Sequence, residues 1–140
     1  MKPKVYYAIL GATVTGFFLG WLLFGIILDP FYKSQMVYYQ GLVKTPPTMW
    51  AILIMNICFA VLLVYIFHVW AGVTTFMKGF TAGLLIFFLM MAGFDILMFG
   101  LMNLFPFGLC VVDIIANTLL GGIVGGVAGM ILGMGKKETT

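Results

Sequence analysis

Four apolar runs, at about residues 5–28, 50–71, 79–104 and 109–134, each meet or exceed the roughly 20 residues that a helix needs to cross a bilayer. Inside lipid the backbone must satisfy its own N–H and C=O groups, and runs of this kind can do so only as helices, because one chain of this size cannot close a barrel from them. Composition matters here chiefly for what it excludes. With 64% hydrophobic residues, 8% charged residues and a mean hydropathy of +1.19, an ordinary soluble domain is ruled out. The expected fold is all-α: a single transmembrane domain over residues 1–140, an integral membrane four-helix bundle with the lipid bilayer as its first partner. The first run follows Met1-Lys2-Pro3-Lys4 and continues to Leu28, too long for a cleavable signal segment, so it reads as an uncleaved span.

Orientation follows from lysine placement. Lys2, Lys4, Lys78, Lys136 and Lys137 lie at the termini and in the 72–78 loop, whereas the opposite side carries Lys33 and Lys44. The excess predicts both termini inside, in a membrane expected to be the bacterial cytoplasmic one. No basic stripe is present, so nucleic acid is not an expected partner. The first outer loop should contain a short interfacial helix. Asp29-Pro30 reads as an N-cap followed by proline in the first turn, Gly41 as a stop, and Phe31, Tyr32, Met36, Tyr38, Tyr39 and Leu42 suit the headgroup plane. Tyr6, Tyr7, Trp50 and Trp70 complete the aromatic belts, and Thr48 is placed to cap the second span. Phe105-Pro106-Phe107-Gly108 leaves room only for a tight hairpin between spans three and four. Phe24-Gly25 before Asp29-Pro30-Phe31 and Phe99-Gly100 before Phe105-Pro106-Phe107 form a faint repeat, as a duplicated two-helix unit would.

The strongest packing signal lies in span four. Gly121, Gly125, Gly129 and Gly133 recur every fourth residue, with Gly122 and Gly126 in a second row, a glycine-zipper pattern. Such a face lets another helix backbone approach closely. Gly16 and Gly20 in span one and Gly79 and Gly83 in span three are the matching rows. The partner is either a neighbouring span of the same chain or a second copy.

Polar residues inside the spans are concentrated in the outer half: Asn56, Asp95, Asn103, Asp113 and Asn117. Asp95 lies roughly 15 Å below the outer end of span three at 1.5 Å per residue, Asn117 at a similar depth, and Asp113 near the first turn of span four. Asn103 and Asp95, and Asn117 and Asp113, fall on shared helix faces. A carboxylate in a mid-span position costs about 2.5–3.5 kcal/mol on insertion scales, so Asp95 requires a partner, a proton or water. One arrangement is a protonated Asp95 donating to Asn117 as interhelical glue; the other is a polar cavity where these five residues bind a proton, a cation or a basic ligand group.

Catalytic and cofactor chemistry has little footing. There is no GxSxG, Walker, HExxH or GxGxxG motif in usable context, and the reckoned depths of Asp95 and Asp113 differ by about 5 Å or more, which argues against an aspartyl dyad. Cys58 and Cys110 belong to no metal-binding array, and the only histidine, His68, reads as an interfacial residue. No enzyme activity, metal or cofactor is expected.

Phe31-Tyr32-Lys33-Ser34-Gln35-Met36 resembles a motif in an uncharacterised family of small four-span bacterial membrane proteins, a domain of unknown function. In that family span one ends in a Trp-Tyr type of motif followed by Phe-Gly-Lys and a Trp-Met pair. Phe31, Lys33 and Met36 occupy matching places; Tyr32 stands for Gly, Gln35 for Trp, and Phe24-Gly25 for the Trp-Tyr place. The likeness covers six residues plus topology and implies fold and localisation, but no activity. The leading functional expectation is a non-catalytic bundle acting by association, as a homo-oligomer or a subunit of a larger membrane complex. The alternative is a small transporter or proton- or cation-coupled permease using the outer Asp/Asn cluster.

Overall fold

In a computed structural model, which describes residues 3–135, the chain is helical throughout its ordered elements. Lys2, Lys136 and Lys137, which carry part of the orientation argument, lie outside the described residues. Helix α1 (Pro3–Leu22) runs on through a wide turn, Leu23–Ile27, to α2 (Asp29–Gln35). Helix α3 (Met49–Tyr65) likewise ends in a wide turn, Ile66–Ala71, and α4 (Phe76–Leu101) and α5 (Phe107–Gly133) follow. With their wide turns included, Pro3–Ile27, Met49–Ala71, Phe76–Leu101 and Phe107–Gly133 are four helices long and apolar enough to cross a membrane.

Local chemistry accounts for most boundaries. Gly72, at φ 58°, adopts the left-handed conformation that stops α3, and its N–H returns to Phe67 O. The Thr75 side chain accepts from Lys78 N at 3.3 Å and starts α4 three residues before the expected 79. Thr48, by contrast, makes no side-chain cap for α3. Helix α2 starts directly out of the preceding wide turn: Leu28, still in the right-handed helical region, is its cap, Asp29 is its first residue, and it ends at Gln35 rather than near Gly41. Proline at position 30 fits because a first-turn N–H has no intrahelical partner to lose.

Helix α5 is the central pole. It packs along α4, its hairpin partner, and also against α1; α3 leans mainly on α1. The glycine rows of α5 face α4. A Cβ on Gly79 would overlap the Gly125 carbonyl, one on Gly83 the Gly121 carbonyl, and one on Gly133 the Thr74 carbonyl. Gly129 answers Thr75 O and Gly79 Cα, and Gly122 and Gly126 are covered by Leu84, Phe80 and Phe76. Two backbones in contact gain dispersion along their whole length, which is what holds helices together where lipid removes the hydrophobic drive. On α1, Gly16 receives Asn56 and Val124, and Gly20 faces Leu120. The tightly buried core, Ala8, Leu63, Val64, Phe67 and Ala128, lies toward the end opposite α2.

The two halves are not built alike. Residues 28–48, with α2, join α1 to α3, whereas five residues, 102–106, join α4 to α5. The wide turns fall at the ends of α1 and α3, not at the ends of α1 and α4 as a two-helix repeat would place them.

Candidate functional site

Helix α2 positions the site by lying across the end of the α4–α5 hairpin. The chain after it is fastened by Val37 N donating to Leu104 O at 2.8 Å, in the turn between α4 and α5. On the near side, the Phe24 ring in the wide turn meets Tyr32 edge to face at 6.1 Å between centroids. Held between these points, Tyr32 directs its phenol into the bundle, where it donates to Asp113 Oδ1. Burial first, then this hydrogen bond, hold the Tyr32 phenol well above the ordinary tyrosine range.

The other Asp113 oxygen is also engaged. Asn117, one turn further along α5, donates from Nδ2 to Asp113 Oδ2 at 2.8 Å and to the Asp113 carbonyl at 3.1 Å. Opposite, on α4, the Asp95 carboxyl is a neighbour of the Asp113 carboxyl, close enough for the two charges to interact. Asp95 is 7% exposed, and its Oδ2 has no hydrogen-bond partner among the described residues. No cation reaches the pair: the one ion pair among the described residues is Lys33–Asp29, at 2.7 Å on the exposed side of α2.

The proximity of the two aspartates corrects the depth reckoning made from sequence. Helix α4 ends at Leu101 rather than 104, so Asp95 is six residues from its end; α5 begins at Phe107 rather than 109, so Asp113 is six residues from its start. Both therefore lie about 9 Å from their helix ends. The depth argument against an aspartyl dyad falls with it. What weighs against such chemistry is geometric: both Asp113 oxygens already accept hydrogen bonds, leaving this carboxyl poorly placed to activate a water.

Asn117 thus bonds Asp113 and not Asp95. Asn103 is not on α4 at all; it is exposed in the turn beyond Leu101 and shares no helix face with Asp95. Asn56 donates to its own helix, Nδ2 to Ile52 O at 2.9 Å, and turns its Oδ1 to Gly16 of α1. Sequence reasoning read Tyr32 as an interfacial aromatic and missed its hydrogen bond, which joins residues 81 apart and leaves no spacing to read.

Beside the acid pair, α3 and α4 stand apart, bridged by Phe59 and Phe87 with ring centroids at 5.7 Å. The gap is a crevice of about 510 Å³, walled by Met55 and Phe59 of α3 and Met90 and Met91 of α4, with Asn117 and Leu120 of α5 behind. A second cavity, about 360 Å³, lies at the opposite end of the bundle beside Lys4, His68 and Thr74. Cys110 is buried at the start of α5 and Cys58 is exposed on α3; neither joins the acid pair through a hydrogen bond.

Two neighbouring carboxylates in a low dielectric repel too strongly to carry two negative charges unaided. The arrangement is suited to holding a proton, or a cation, between them. Asp113, with its two donors, is the fixed acceptor; the open oxygen of Asp95 is the variable one. No family model, curated protein or solved structure matches the chain.

Proposed function

We propose that the chain is an integral membrane protein with both termini on the cytoplasmic side of a bacterial inner membrane, and that it works as a small permease coupled to a proton or cation at Asp95 and Asp113. The observation that carries this reading is the buried, unpartnered Asp95 oxygen facing a second carboxyl. An unpartnered polar atom at such a depth costs roughly 2–7 kcal/mol where an apolar side chain would cost nothing, so its presence calls for a ligand that comes and goes. Helix α2, amphipathic and with no fully buried residue, lies in the outer headgroup plane and covers the pair. Four spans enclose too little space for a pathway, so the working unit is a dimer or larger. Because α4 fills the glycine rows of α5 within one protomer, a second copy meets other faces.

The test is flux in proteoliposomes over a panel of cations and solutes with an internal pH dye. Wild type conducts a coupled flux and Asp95→Asn, nearly isosteric, abolishes it while remaining folded and inserted. Equal flux in the variant, or none in wild type across the panel, removes the proposal.

A second reading, an accessory subunit of a membrane complex, draws support from α3, which has one main neighbour and otherwise free flanks. Native mass after gentle-detergent purification separates the two: a stoichiometric foreign polypeptide favours the subunit, and multiples of this chain favour the permease.

A further inference from the structure

The crevice adjoins the acid pair through Asn117, while neither aspartate itself lines it. Along α5, Asp113, Asn117, Leu120 and Val124 are spaced by four, three and four residues and therefore share a face. Asn117 belongs to both parts: it binds Asp113 and lines the crevice. Across the gap, Met91 lines the crevice and Asp95, four residues on, lies on the same face of α4 at its polar end. From Asp113 to Val124 the stripe runs eleven residues, about 16 Å at the helical rise. One end is two carboxyls and a carboxamide; the rest is thioether, phenyl and aliphatic.

We infer that this feature is a binding site for an amphipathic monocation, an alkyl or aryl ammonium whose head sits at Asp95 and Asp113 and whose apolar body fills the crevice between α3 and α4. The charge argument selects the head. Asp95 is more than nine-tenths buried with one oxygen unpartnered, and among the described residues no side-chain cation serves the pair. An ammonium group supplies the positive charge that the pair lacks and an N–H donor for the open oxygen of Asp95. The apolar walls select the body: in the crevice Asn56 and Asn117 are the polar side chains, and the Asn56 amide is already bonded to its own helix. Met55, Met90 and Met91 give those walls adaptable shape, favouring a class of bodies over one rigid molecule. A hydrated inorganic cation would leave about 510 Å³ of apolar space unused, and an uncharged lipid chain would leave the carboxyls as they are. The bilayer itself concentrates such molecules, and the gap between α3 and α4 admits them from the side.

This inference rests on the acid pair being the exchangeable site of the proposed permease, and the experiment keeps the two apart. Saturable binding of decylammonium is measured in lipid nanodiscs holding the full chain, against protein-free discs, with methylammonium and 1-decanol as the head-only and body-only probes. Decylammonium binds saturably, and each partial probe binds about tenfold or more weakly, since each forfeits either the charge-assisted contacts or the apolar burial. Asp95→Asn loses about tenfold by the first route. Leu120→Trp, which fills the crevice, loses as much, whereas Leu85→Trp, the same bulk on the exposed face of α4, binds as wild type does. If Leu120→Trp does not fold, Met91→Trp on the opposite wall reads the same loss. Decylammonium binding no better than 1-decanol, or undiminished in a folded crevice-filling variant, overturns the inference. Asp95-dependent proton flux without decylammonium binding also overturns it while leaving the permease reading intact. Asp95-dependent decylammonium binding without flux upholds the site and removes the permease.

Discussion

Replacing Gly125 by alanine adds one methyl group at the closest approach of α4 and α5. Its Cβ would overlap the Gly79 carbonyl oxygen and stand 3.0 Å from Gly83 Cα. Both obstacles are backbone, so no rotamer change relieves the contact and the helices must separate. Overpacking of this kind costs about 1–3 kcal/mol. Alanine is the better helix former by about 1 kcal/mol, but that gain shrinks where the unfolded reference keeps its helices, as spans do in detergent. The balance is a destabilisation of about 1–2 kcal/mol, roughly a five- to thirtyfold shift in the folded to unfolded ratio. Gly93, within α4, provides the control: nothing lies within 4 Å of a Cβ there, so Gly93→Ala keeps or gains up to about 1 kcal/mol. Reversible unfolding in mixed micelles, followed by tryptophan fluorescence and circular dichroism, compares the midpoints. Equal midpoints for the two variants, or a wild-type midpoint for Gly125→Ala, would refute the reasoning, because the close approach would then carry no weight.

Tyr32 gives a pH signature. Since burial and the Asp113 hydrogen bond favour the neutral phenol, the tie from α2 to α5 is complete below about pH 10, the ordinary tyrosine value, and is lost only as pH rises beyond it. Ultraviolet titration of wild type against Tyr32→Phe should therefore show no phenolate from this residue near pH 10; a normal midpoint contradicts the hydrogen bond. Asn103→Ala should leave stability within about 0.5 kcal/mol of wild type, because the side chain is exposed in a turn and makes no hydrogen bond to the acid pair. A loss of 2 kcal/mol or more would place Asn103 back on the buried face.

How far a sequence of this kind can be read depends on the range of the interaction. The four apolar helices were legible because hydropathy and length act locally, and the matched rows Gly79, Gly83 and Gly121 to Gly133 were legible because the spacing of small residues is a property of one helix at a time. Whether those rows meet each other or a second copy is not a local property, and it took the geometry of the Gly79 and Gly125 carbonyls to see α4 fill the rows of α5. The acid cluster was legible as a set of residues and misread as an arrangement. Shifts of two or three residues at the facing ends of α4 and α5, set by the turn at 102–106, were enough to move Asp95 level with Asp113 and to strip Asn103 from its helix. The Tyr32 contact had no local signal, since a tyrosine in an aromatic loop serves an interface equally well.

The central position of α5 has a consequence for biogenesis. Spans one to three emerge from the ribosome before it, yet the backbone contacts along α4 and a main packing surface of α1 are both on α5. Until the fourth span inserts, Gly79 and Gly83 lack the backbone they pack against, Asp95 is uncovered with no second carboxyl beside it, and Tyr32 has no acceptor. The first three spans must then wait in the bilayer as a loosely associated set, the state in which a membrane quality-control protease or chaperone would find Asp95 exposed. Assembly therefore closes in one late event, and the same helix that completes the packing delivers the second half of the acid pair.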